Sequence, residues 1–445
     1  MEANSTDHHV ISIKNTGDGE VVGNNEGHKR RFKFSVFSKK IHCSLVPVSS
    51  YLRDKKNSDQ NTNNNNKKVI HSIKVGISLL LVSLLYLLDA LYNQVGDNAM
   101  WAIMTVVVIF ELYAGATLGK GLNRGIGTIL GGGLGCLFAF IAQEVGGVGN
   151  SIVIAITIFI FGAGATYIRQ APSIKKRYDY GVMIFILTFN LVVVSGIRAD
   201  QVLKIARDRL LSIVMGFLVG ISVSLFVFPM WTSDELHHST ASKFHDLANT
   251  VQGCLEEYFK SDSEKKNAQR NTSCCKSVLN SKPKDESLAN FAKWEPWHGR
   301  FGYSYPWDMY LSIGDVLREL AAIVLALNSC LQSSRQAKEW GNEPLKEACE
   351  GIGASIAWSL REVGDSIEQR RKPKAENEIL PKLKEVRAEM SSMIAETENN
   401  EKGDLAIASL LVLLMTEVVD KVEKLAKEAD ELAEIAAFHT NVASS

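Results

Sequence analysis

Gly121-Leu122-Asn123-Arg124-Gly125-Ile126-Gly127-Thr128-Ile129-Leu130-Gly131-Gly132-Gly133-Leu134-Gly135-Cys136, running on through Leu137 and Phe138 to Ala142, decides how this chain is read. About twenty apolar residues are what an α-helix needs to cross the hydrocarbon of a bilayer. Gly121/Gly125, Gly127/Gly131 and Gly131/Gly135 are spaced four apart and share a helix face, which lets membrane helices approach backbone to backbone. Pure helix packing and the thin wall of a pore are both open readings of that face. A phosphate-cradling glycine loop is not, because no strand precedes the run. Arg124 stands near its start, and a cation at such a place is costly and tends to mark function.

Working outward, five further apolar stretches flank this one: about Val75–Tyr92, Met100–Leu118, Ser151–Tyr167, Tyr180–Ile197 and Ile205–Trp231. Of the 445 residues 46% are hydrophobic, and the 49 basic and 49 acidic residues balance only on average. Acidic residues are scarce from Ile70 to Trp231 and abundant from Asp234 onward. The fold class expected is therefore all-α: a polytopic membrane protein with six transmembrane helices plus a cytosolic helical bundle. The expected domains are a disordered polar tail over 1–66, a six-span transmembrane domain over 67–232 and a cytosolic helical domain over 233–445. The tail carries His8-His9, the basic cluster Lys29-Arg30-Arg31-Phe32-Lys33 and an Asn-rich run to Asn66, and it has too little apolar surface for a core. No secretory signal is apparent, since the first apolar run follows about seventy polar residues.

Basic residues near span ends set orientation. Lys67, Lys68, Lys74, Lys120, Arg124, Arg169 and Lys175 to Arg177 fall on one side, against Arg198, Lys204, Arg207 and Arg209 on the other, so both termini are expected in the cytosol. Helical candidates follow at Glu235–Phe259, Asp308–Leu331, Leu345–Arg371, Leu380–Glu396 and Asp404–Phe438, with a Ser/Lys/Asn linker up to about Pro283. Leu405–Met415 is too short to span and reads as a buried face of a bundle.

No catalytic or metal constellation stands out. The seven cysteines form no CxxC pair, Cys274 and Cys275 read as loop thiols, and His237-His238 reads as surface. Neither an enzyme, a resident cofactor nor a nucleic-acid partner is expected. The chemistry lies with cations beside the spans. Lys120 and Arg124 are one helical turn apart and share a face. Arg207 and Arg209 flank Asp208 on different faces, so only one is expected to face a central path, and Arg209 is the deeper. Fixed guanidinium groups select anions by replacing lost hydration, and their fork suits carboxylates. Glu111, expected in mid-span of the second helix, calls for a basic partner and reads as a structural pair or a gating element.

Several motifs in order carry a resemblance: Trp101-Ala102-Ile103-Met104-Thr105-Val106-Val107-Val108, Gly115-Ala116-Thr117-Leu118-Gly119-Lys120-Gly121-Leu122-Asn123-Arg124-Gly125, Tyr178-Asp179-Tyr180-Gly181, Phe228-Pro229-Met230-Trp231, and Trp294-Glu295-Pro296 followed by Trp297-His298-Gly299. Over about Val69–Leu331 the chain resembles the aluminium-activated malate transporter family of plants. The resemblance implies a homodimeric anion channel in a lipid bilayer, passing malate and other small anions, in the plasma membrane ahead of the vacuolar membrane. It places the conduction path on Arg124 and Arg209, with Lys120 a weaker carry-over, and a structural or gating role on Trp294, Glu295 and Pro296. The connection Arg198-Ala199-Asp200-Gln201-Val202-Leu203-Lys204 has one carboxylate between two cations, a poor aluminium site, so activation by aluminium is not expected. A membrane-anchored helical scaffold without conductance is the alternative.

Overall fold

A computed structural model describes residues 60–87, 99–195, 202–258, 268–299, 301, 305–335, 343–397 and 405–439. The tail before residue 60, the connection 88–98 and the connection 196–201 lie outside the described residues, and with them the expectations of tail disorder and of a poor aluminium site. The chain divides into two units after Asn66, and the architecture below is that of Lys67–Ser445.

The described residues contain no strand, only helices joined by short turns and two isolated bridges. The first half comprises α1 (Gln60–Leu87), α2 (Ala99–Ile109), α3 (Ala114–Val145), α4 (Gly147–Gln170), the short α5 (Pro172–Arg177), α6 (Asp179–Ser195) and α7 (Val202–Phe226). Three helical stretches, Ala114–Val145, Gly147–Gln170 and Arg209–Phe226, are long and apolar enough to cross a membrane, and Met100–Ile109 and Asp179–Ser195 are shorter apolar helices. Their outer faces carry large apolar side chains in the open, Val148 at 80%, Phe159 at 75% and Phe226 at 83% exposure. Such a contiguous surface belongs against lipid, not water.

Two boundaries differ from the sequence reading. The Asn-rich run to Asn66 is already helical, as the start of α1. The stretch Met100–Leu118 is not one helix: α2 ends at Ile109 and α3 starts at Ala114. The freed backbone groups at this break are captured locally. The Glu111 N–H donates to Thr117 Oγ1 at 3.0 Å, and the Ala114 N–H donates to the Met230 carbonyl at 2.9 Å. Glu111 therefore sits in a helix break, not in mid-span, and α3 is a single helix of 32 residues that includes Lys120 and Arg124.

Glycine makes the main contact of this half. A Cβ on Gly131 would lie 2.7 Å from the Phe185 carbonyl oxygen, and one on Gly135 would lie 3.0 Å from Val192 Cβ. The Gly127/Gly131/Gly135 face thus seats α6 directly on the α3 backbone. Gly133 meets nothing within 4 Å and faces open space.

The second half comprises α8 (Thr232–Tyr258), α9 (Ala268–Leu279), α10 (Lys282–Ala292), α11 (Trp307–Arg335), α12 (Glu343–Gln369), a π-helical turn (Ala375–Ile379), α13 (Leu380–Thr397) and α14 (Leu405–Ile435). Ile352, Ile356, Leu360, Val363 and Ile367 recur at helical spacing on α12, as do Val418, Val422, Leu425, Ala429 and Leu432 on α14, and these stripes meet in one core. Burying each Val, Leu or Ile side chain of these stripes stabilises the bundle by about 1.5–3 kcal/mol. The expected linker before Pro283 contains α9, whose Cys275 and Val278 point into that core. Cys275 is thus no loop thiol, and burial pushes it up to about 12. His237 is likewise buried, with Nδ1 2.8 Å from the Tyr310 hydroxyl. A polar composition hid both, because one apolar residue per turn suffices for burial.

Candidate functional site

The glycine face of α3 leaves its neighbouring face free, and there a cavity of about 470 Å³ opens between α3, α6 and α7. Arg124, Arg207 and Arg209 border it together with Trp101, Thr128 and Cys136, and no Asp or Glu is among its described lining residues. The remaining wall is largely apolar, including Gly132, Gly133 and Leu191. Gly127, Gly131 and Gly135 of α3 thus serve helix packing, and Gly132 and Gly133 border the cavity.

Arg124 is buried, and its Nη1 donates to the Tyr180 hydroxyl of α6 at 3.1 Å. Arg209 is half-buried, and its guanidinium lies 4.4 Å from the Trp101 ring centroid, a cation–π contact that holds it without neutralising it. In each of the two the Nε–H is buried and has no hydrogen-bond partner. A buried donor left unmade costs about 1–3 kcal/mol, more when charged, so these two groups are poised for an acceptor. Arg207 is exposed and borders the same cavity. Adjacent helix faces do not separate the two arginines, because their long side chains reach the same space from the first turns of α7.

A second opening of about 800 Å³ runs along α6 from Arg169 past Met183, Leu187, Asn190 and Val194 to Arg209. Its lining residues recur every three or four positions, so one face of α6 forms its floor. Arg169 makes a forked pair with Asp179, Nε to Oδ1 at 2.6 Å and Nη2 to Oδ2 at 3.0 Å, which balances its charge. Arg209 borders both openings.

Lys120 is placed differently. Its ammonium is paired with Glu111 across the α2–α3 break, so its charge is compensated and the cavity lining does not include it. Lys74 was counted from sequence as a flanking cation. It is fully buried instead, donating to the Ser224 and Phe228 carbonyls at 3.3 and 3.4 Å at the C-terminal end of α7, where a cation complements the helix dipole. Trp101, which borders the cavity, and Tyr180, whose hydroxyl holds Arg124, are residues that sequence reasoning does not place at the site. Only the recurrence of an aromatic near each arginine in space identifies them.

The family model for aluminium activated malate transporters matches residues 60–403. The chain belongs to this family. It is 44% identical over 307 residues to aluminum-activated malate transporter 12 of Arabidopsis thaliana, an alignment covering 68% of this chain and 55% of that protein. Aluminum-activated malate transporter 7 of the same plant is 36% identical over 379 residues, covering 78% and 75% respectively. Aluminum-activated malate transporter 1 of Triticum aestivum is 39% identical over 271 residues, covering 59% and 58%. The chain thus spans little more than half the length of the first of these relatives. With its apolar helices, this member of the malate transporter family is a membrane protein.

The Trp294-Glu295-Pro296 motif of this family member lies where its two halves meet. Glu295 is buried and accepts from the backbone N–H of Thr232 at 2.5 Å, from that of Ser233 at 3.1 Å and from the Ser233 hydroxyl. Its carboxylate thereby caps the N-terminus of α8, where negative charge and orphan N–H groups match. The same side chain would stand 2.6 Å from a Cβ on Gly115, so the first turn of α3 rests on it. Trp294 packs against Gly119 on one side, and the Arg177 guanidinium lies 4.9 Å from its ring centroid. Pro296 offers its carbonyl to His298 Nδ1 at 2.8 Å, and the His298 ring stacks on Trp231 at 3.7 Å. One motif so joins the end of α7, the start of α8 and the start of α3.

Proposed function

We propose that this chain is an anion channel that passes malate and small inorganic anions such as chloride, nitrate and sulfate across a plant membrane. The observation that carries the reading is the cavity, with no Asp or Glu among its described lining residues, on which Arg124 and Arg209 converge with unpartnered Nε–H donors. An anion entering there exchanges water for guanidinium donors in an apolar surround, where charge–charge attraction is stronger than in water. The names of the relatives support malate as one such anion.

In this reading six spans cross the bilayer, the second being the eleven-residue α2 together with the broken stretch up to Leu118, both termini face the cytosol, and α8 to α14 form a cytosolic bundle. The channel works as a homodimer in the lipid bilayer, the plasma membrane ahead of the vacuolar membrane, and the lateral groove along α6 is the side on which a second copy would complete the path. Arg124 and Arg209 stabilise the anion. Lys120 and Glu111 act as a pair in gating or structure, and Trp294, Glu295 and Pro296 serve the joint between the halves.

Patch-clamp recording in symmetrical malate and then chloride, from cells expressing only this chain, tests the function. Arg209→Glu is expected to remove at least nine-tenths of the anion current at unchanged surface level. Undiminished current would refute the role, and absence of current in the unsubstituted protein would favour a scaffold. External aluminium is expected to leave outward malate movement unchanged, since the fifth-to-sixth connection offers one carboxylate between cations.

A further inference from the structure

Away from the membrane half, α8 and α12 pack more closely than side chains usually allow. Gly364 makes this possible: a Cβ there would lie 2.9 Å from Phe244 Cβ and 3.3 Å from His245 Nε2. The close approach brings His245 of α8 against the two acidic residues Asp365 and Glu368, which are three apart on α12 and so share a face. His245 Nε2 is 3.4 Å from Asp365 Oδ1. One donor atom from each of His245, Asp365 and Glu368 lies within 4.8 Å of the others. His238, two helical turns before His245, approaches the same group from the rim, its Nδ1 3.7 Å from Glu368 Oε1.

We propose that His245, Asp365 and Glu368, with His238 as fourth ligand, form a binding site for a divalent transition-metal ion, and that zinc fits it best. Zinc takes imidazole nitrogen at about 2.0–2.1 Å and carboxylate oxygen at about 2.0–2.2 Å, which puts tetrahedral donor atoms roughly 3.4 Å apart. The 3.4 and 3.7 Å separations already match that spacing, and rotation about exposed side-chain bonds closes the rest. Two imidazoles and two carboxylates also suit zinc better than calcium or magnesium, which prefer all-oxygen shells. The neighbouring cation Arg371 is held by Glu362 at 2.6 Å. His245 and Asp365 are half-buried and Glu368 is exposed, which gives solvent access to one side of a sheltered pair. A bound ion would cross-link α8, the helix that follows the last apolar helix of the membrane half, to α12.

The test uses the full chain, purified in detergent and stripped with chelator, titrated with Zn²⁺ by calorimetry at neutral pH. Binding of one ion per chain in the micromolar range or tighter is expected, with a rise in melting temperature. His245→Gln and Asp365→Asn should each weaken binding at least tenfold and remove the rise. Glu368→Gln, at the exposed end, tests the same ligand set without touching buried packing. The thiols and His8-His9 are rival ligands, so two controls are needed: Co²⁺ substitution should give no thiolate charge-transfer absorption, and His8→Ala/His9→Ala should bind as the unsubstituted chain does. The proposal is overturned if the stripped protein takes up no zinc in that range, if the three ligand variants bind undiminished, if a thiolate band appears, or if the His8/His9 variant loses the ion.

Discussion

Four cations that look alike along the chain are not alike in space. Lys120 is spent on Glu111 and Arg169 on Asp179, whereas Arg124 and Arg209 keep buried donors unpartnered at the same cavity. What separates them is whether a carboxylate nine or ten positions away reaches the cation across a helix end. Glu295 shows the converse case, one anion surrounded by three donors at a helix N-terminus. In Glu295→Gln the amide group turns a donor toward at least one of those donors. A buried donor left without an acceptor costs about 1–3 kcal/mol. The detergent-solubilised variant is therefore expected to melt several degrees lower than the unsubstituted protein, as followed by fluorescence-detected gel filtration. An equal melting profile would remove the joint from the account.

At the scale of elements, α3 is built to carry two different neighbours. Its Gly127/Gly131/Gly135 face takes α6 at backbone distance, and its Gly132/Gly133 face borders the cavity. Gly131→Val would push a side chain against the Phe185 carbonyl and force the helices apart, and overpacking of this kind costs about 1–3 kcal/mol or more. Loss of most surface protein and of current is expected, measured by surface biotinylation. Gly125→Ala on the same helix meets nothing within 4 Å and should leave surface level unchanged. The break between α2 and α3 belongs to this scale as well. An apolar pattern from Met100 to Leu118, interrupted by Glu111 alone among charged residues, conceals it, because the partners that stabilise the break, Thr117 and Met230, show no periodicity of their own. The α9 helix was missed for a related reason, since a dozen residues with few apolar positions read as linker until the core they face is known.

At the scale of the molecule, the two halves are tied at a second place beside Glu295. Glu235 in the first turn of α8 pairs with Lys67 of α1 at 2.6 Å and with Lys284 of α10 at 3.2 Å. Burial alone would raise its carboxyl, but the two lysines outweigh burial and hold it below the ordinary 4.5. A carboxylate depressed in the folded state contributes stability that is fully present above its unfolded value. That stability is lost as pH falls below about 4.5, because the unfolded chain then takes up the proton first. Melting temperature should therefore drop as pH falls from about 5 to about 3, and Glu235→Gln should show a smaller drop over that range than the unsubstituted protein. An identical drop in both would exclude Glu235 as a contributor.

The sequence by itself determined the all-helical class, the apolar character of the first half, the amphipathic helices of the second, and the family. Each of these rests on a local quantity, whether run length, period or an uninterrupted motif, that needs no knowledge of what lies across the fold. The tertiary structure decided which arginines keep their charge uncompensated, where the second apolar stretch breaks, and that Trp294-Glu295-Pro296 lies at the joint. These depend on pairing between groups far apart in the chain, such as Thr232 and Glu295, 63 positions apart. Hydrogen bonds and ion pairs act over a few ångströms of space, and a linear pattern of residues does not encode that distance.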